Sequence, residues 1–83
     1  MAHPRLEAVT QNDVVRTAKT ISPKGIQKWS VLVGRREFPV KQLLMEAANS
    51  IKSSAPRVTP ADFIAHYAVR KLKQLGFTVN YRE

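Results

Sequence analysis

The stretch over residues 29–45, WSVLVGRREFPVKQLLM, does most to restrict the folds open to this chain. Trp29, Val31 and Val33 alternate with Ser30 and Leu32, a period-two pattern that a strand adopts when one face meets a core and that extends back to residue 26. Gly34-Arg35 follows as a two-residue connection. Glycine at its first central position suits a type II′ turn, which returns Arg36, Glu37 and Phe38 antiparallel and sets Phe38 opposite Val31. Pro39 then opens a helix, where its missing N–H costs nothing. Leu43, Leu44, Ala47, Ala48 and Ile51 recur on one face of that helix. A hairpin alone is marginal in water, so this helix must cover it and further elements must complete the core.

The flanking sequence supplies them. From Thr10 the pattern is helical to about Thr20: Thr10, Gln11 or Asn12 caps, Asp13 sits in the first turn, and Val14, Val15, Ala18 and Ile21 share a face. Ser22-Pro23-Lys24-Gly25 ends this helix. After a polar loop over 49–57, Thr59-Pro60-Ala61-Asp62 is a helix start, with threonine as cap, proline at the first position and an acid at the third. The third helix is predicted over 60–75, with Ile64, Ala68, Leu72 and Leu75 inward and Phe63 off that arc. Gly76 ends it in the left-handed conformation, with Phe77 folding back on Leu72, and residues 77–81 close as a strand.

The fold class is therefore α+β in the order α-β-β-α-α-β, a three-stranded antiparallel sheet packed by helices. It forms a single domain over 10–83 behind a flexible tail over 1–9, whose Arg5 is available to a phosphate. Trp29, Val31, Val33, Phe38, Leu43, Leu44, Ile64, Ala68, Leu72, Leu75, Phe77 and Val79 are the expected core.

Composition narrows the function. The 83 residues contain no cysteine, which excludes disulfides and thiolate metal sites, and two histidines do not make a zinc site unaided. No apolar run approaches the roughly 20 residues of a membrane span, and the first residues lack a signal segment, so a cytoplasmic protein without membrane contact is expected. Fourteen basic residues against six acidic ones give a net charge of +8 and a pI near 10.5. Such a field draws polyanions, and nucleic acid is the commonest.

Two groups of cations are placed to use it. Arg35, Arg36 and Lys41 lie around the hairpin turn and the following helix entrance, where free backbone N–H groups and the macrodipole favour an anion. Lys41 opposes that dipole, and a phosphate would relieve the conflict; the alternative is that Arg36 pairs with Glu37 and Lys41 lies along the surface. His66, Arg70 and Lys73 form a basic stripe on the third helix, opposite its apolar arc, with Lys71 at the margin. Phe63 is the aromatic most available for stacking, ahead of Tyr67 and Tyr81. Asp13 and Asp62 are engaged in capping and no nucleophile relay or glycine-rich phosphate loop is present, so neither an enzyme nor a cofactor is expected. The reading is a small basic module binding nucleic acid, duplex DNA before RNA, through Arg35, Arg36, Lys41, Arg70, Lys73 and His66. A protein-interaction module or homodimer meeting an acidic partner is the alternative, favoured if Phe63 or Tyr67 forms an exposed apolar patch.

Trp29-x-Val31-x-Val33-Gly34-Arg35, Phe38-Pro39-Val40-Lys41, Asp62-Phe63 and Leu75-Gly76-Phe77-Thr78-Val79 together resemble the N-terminal modules of bacterial McrA-type HNH restriction endonucleases and related modified-DNA-binding proteins. The likeness spans roughly residues 26–80. Ile64-Ala65 stands where that pattern has a glycine pair. The resemblance implies a role near DNA with Arg35 and Lys41 as the matching cations; it carries over no cleavage.

Overall fold

The computed structural model describes residues 3–22, 25, 28–52 and 54–81. Helix α1 (Pro4–Ala8) and helix α2 (Gln11–Ala18) precede strands β1 (Trp29–Val33) and β2 (Arg36–Pro39). Helix α3 (Val40–Asn49), a 3₁₀ turn (Pro60–Asp62), helix α4 (Ala65–Gln74) and strand β3 (Thr78–Tyr81) complete the chain. The sheet is antiparallel with order β2-β1-β3. This is the expected α+β architecture with one helix added at the front. The start of the first strand expected at 26 and 27, and the Pro23-Lys24 stop, lie outside the described residues.

Sequence chemistry accounts for the sheet. Gly34 has φ +63°, and among the described residues only glycines have positive φ, so the turn is of the II′ kind and Val31 faces Phe38 as expected. On the other side of β1, Val31 pairs with Val79 and Trp29 with Tyr81. Val31 and Phe38 are fully buried. Pro39 differs slightly from expectation: with ψ 132° it is the last residue of β2 and the N-cap of α3.

Helix α3 is the hub, packing on α1, α2, α4, β1 and β2. Its Val40, Leu43, Leu44, Ala47 and Ala48 are buried, and the two alanines allow neighbouring helices close approach. Helix α4 buries Ala68, Val69 and Leu72. It ends as predicted: Phe77 N–H donates to Leu72 O and Gly76 N–H to Lys73 O, with Gly76 at φ +96°.

Two expectations are corrected. The tail over 1–9 is not structureless across its described part, since Pro4–Ala8 is helix with His3 Nδ1 accepting from Arg5 N–H, and Leu6 and Val9 join the core. Arg5 is 8% exposed. Its Nε donates to the carbonyls of Ala55 and Pro56, both at 3.0 Å, and its Nη1 to those of Ile51 at 2.7 Å and Ala48 at 3.3 Å. A helix C-terminus leaves carbonyls unpaired and carries negative potential; Arg5 answers both for α3 and is not displayed to a phosphate. Asn49 pins the same loop by exchanging two hydrogen bonds with the backbone of Val58.

The helix expected over 60–75 is also interrupted. Phe63 and Ile64 take extended backbone between the 3₁₀ turn and α4. The break turns Phe63 inward, to 8% exposure, and leaves Ile64 66% exposed as the N-cap of α4. On one continuous helix these two positions would have been reversed.

Two capping carboxylates set an acid limit on this fold. Partial burial raises the Asp13 carboxyl, but the Thr10 backbone and hydroxyl donors and the Arg16 guanidinium outweigh it and hold the pKa below the ordinary 3.8. The Thr59 N–H, with its hydroxyl, holds Asp62 below 3.8 as well. A depressed folded pKa means the unfolded chain binds more protons, so this stability is present above 3.8 and is lost as the pH falls through the folded values. Thermal unfolding followed from about pH 6 down to pH 3 is expected to show a falling midpoint at the acid end, and the drop is expected to be smaller in the Asp13→Asn, Asp62→Asn double variant.

Candidate functional site

The topology divides the first group of predicted cations. Arg35 and Arg36 occupy the hairpin tip and are exposed, whereas Lys41 starts α3 at the opposite end of β2. Three residue steps of strand, about 10 Å, separate Arg36 from Pro39. The expected single cluster is therefore two separate places. Arg36 lies over the Phe38 ring, 5.3 Å from its centroid, and the Glu37 carboxylate accepts from the buried Ser30 hydroxyl at 2.7 Å.

Lys41 faces a cavity of about 570 Å³ lined by Lys28, Trp29, Pro39, Val40, Gln42, Met45, Pro60, Ala65 and His66, with Gly25 at its edge. Its Nζ donates to Pro60 O at 2.7 Å and sits 5.0 Å from the centre of the Phe63 ring. These contacts answer the opposition between Lys41 and the α3 dipole that a phosphate was expected to relieve, and they use one of three N–H donors. The first turns of α3 and α4 both border this cavity and contain no acid. The starts at His3, Thr10 and Thr59, by contrast, carry Glu7, Asp13 and Asp62. No carboxylate is among the described residues lining the cavity. Cations, helix N-termini and missing acids together make its potential positive.

One wall is aromatic. Trp29 is half-buried, and its ring meets His66 edge-on at 5.9 Å and Tyr81 at 4.6 Å. Tyr81 is 51% exposed. Trp29 was expected in the core and instead fills the end of the sheet where α4 begins. Phe63, the aromatic expected to be available, is buried edge-on against Tyr67.

The second predicted group survives as a stripe: His66, Arg70 and Lys73 are all exposed on α4. It starts at the cavity with His66 and runs about 10 Å along the helix. Arg70 also borders a smaller cleft with Glu7, Tyr67, Lys71 and Gln74. There Lys71 Nζ donates to Glu7 O at 3.1 Å, and burial, with Glu7 nearby, raises the Tyr67 pKa. Lys28 was missed at the sequence level. The available signal was a lysine next to the single tryptophan, at the end of the strand that leads into the basic turn.

Among the described residues no group of three or more His, Asp or Glu side chains could hold a metal ion, and no helix is long and apolar enough to cross a membrane. A family model described as SCO5918-like matches residues 6–83. No curated protein and no solved structure matches the chain.

Proposed function

The chain belongs to the SCO5918-like family, and we propose that it is a non-enzymatic nucleic-acid-binding module. Its phosphate contacts come from Lys28 and Lys41 at the cavity and continue through His66, Arg70 and Lys73 along α4. The observation that carries this reading is the lysine- and tryptophan-lined cavity, with no acid among the described residues lining it, opening onto a basic helical stripe. A net charge of +8 supplies the long-range attraction. Lys41 is also one of the two cations matched in the resemblance to McrA-type N-terminal modules, which adds an expectation of DNA. Arg35 and Arg36, at the far end of β2, contribute peripheral attraction. The apolar patch expected to favour the protein-partner alternative does not centre on Phe63, which is buried, or Tyr67, which is half-buried; Leu32, Ile64 and Tyr81 are the large apolar side chains left exposed among the described residues.

Phosphate-dominated binding releases counterions, so affinity is expected to fall linearly on a log–log plot against salt. The slope is roughly −0.9 per neutralised phosphate for duplex and −0.7 for single strands. Polarisation titrations at several salt concentrations measure it. A flat response, or no binding to any nucleic acid, would overturn the reading.

A further inference from the structure

We infer that the cavity is a subsite for one unpaired nucleotide of a single strand, its base against Trp29 and its flanking phosphates on Lys28 and Lys41. This deepens the proposed function and rests on it. Three observations converge. The volume, about 570 Å³, lies within the usual range of ligand pockets, roughly 300–1,000 Å³, and suits a unit the size of a nucleotide rather than a helix backbone passing over a flat surface. The lining joins an aromatic ring and the apolar Met45 to two lysines, with no opposing carboxylate among the described residues. Those are the two chemistries a nucleotide presents, a flat π-face and an anion. Finally, Trp29 is not isolated, since His66 and Tyr81 both pack edge-on against its ring and help to fix it where it lines the cavity.

A base in a duplex is stacked on its neighbours and presents only edges, so this arrangement favours unpaired strands. The expectation of duplex DNA came from cations spread along a surface; the folded chain instead sets one of them, Lys41, together with Lys28 beside the tryptophan.

Trp29 is the only tryptophan in the chain, so its emission reports on the cavity without labelling. The test titrates the intact protein with a single-stranded oligothymidylate of about ten residues, an abasic strand of the same length, the matching duplex and thymidine monophosphate. The base-bearing strand is expected to quench Trp29 and to bind roughly 5- to 100-fold tighter than the abasic strand, the range that one stacked base provides. Lys28→Ala, at an exposed position, is expected to weaken that binding severalfold with unchanged thermal unfolding, while Trp29→Phe retains most of it. Equal affinity for base-bearing and abasic strands without quenching overturns the nucleotide subsite and leaves phosphate-driven nucleic-acid binding standing. Thymidine monophosphate binding as tightly as the strand overturns the assignment to a strand. No binding by any strand or duplex overturns both readings.

Discussion

Arg5→Ala is expected to lower the stability of the domain by about 3 kcal/mol or more, because hydrogen bonds from a charged donor contribute about 1.5–3 kcal/mol each and the deserted carbonyls are left poorly solvated. The guanidinium joins α1 to the end of α3 and to the loop that follows, through the carbonyls of Ala48, Ile51, Ala55 and Pro56. Small domains have only about 5–15 kcal/mol in total, so the variant should unfold at markedly lower urea. Arg5→Lys keeps the charge but not the planar fork and is expected to recover only part of the loss. A loss below about 1 kcal/mol in urea unfolding would show that the carbonyls find other partners.

The second large effect is on binding. Lys28→Glu combined with Lys41→Glu is expected to weaken nucleic-acid affinity about a hundredfold, since each reversal removes a phosphate contact and places a repelling charge beside the path of the strand. Arg35→Glu with Arg36→Glu changes the net charge by the same amount at the hairpin tip and is expected to cost less than about fivefold. The comparison separates a located site from a diffuse field. Because Lys41 also holds Pro60 O and the Phe63 ring, the Lys28→Glu single variant is the control for stability and should lose about tenfold by itself. Polarisation at one salt concentration measures all four proteins.

Much of the fold was legible because local signals agreed with tertiary need. The Gly34 turn, the Thr10 start and the Gly76 stop are each set by backbone chemistry within a few residues, and each occurs where predicted; the Thr59 capping box also forms, but it opens only a 3₁₀ turn and not α4. The misses share a different cause. Pro4, a loop marker in isolation, is a favoured first helical residue, and Leu6 and Val9 sit three apart on one face; the period was too short to stand out. The break at Phe63 and Ile64 has no glycine or proline of its own. It forms because burying Phe63 against Tyr67 and Lys41 outweighs two residues of helix, a tertiary preference that helical periodicity cannot show.

The candidate site was half legible. Lys41, His66, Arg70 and Lys73 were identified from charge and helical spacing, and all four border the cavity or its stripe. Arg35 and Arg36 were joined to Lys41 because they are close in sequence, whereas β2 carries the chain away from the turn before α3 begins. Lys28 and Trp29 belong to the site only through a contact between β1 and α4, elements separated by the whole of α3.

The most direct test of the central claim is amide chemical-shift mapping of the ¹⁵N-labelled protein on addition of a short single-stranded oligonucleotide. The account predicts the largest perturbations at the Trp29 indole and at the backbone amides of Lys28, Lys41, Gln42, Ala65 and His66, with smaller ones at Arg70 and Lys73. Perturbations centred on Gly34, Arg35 and Arg36, with the Trp29 indole unmoved, would contradict it.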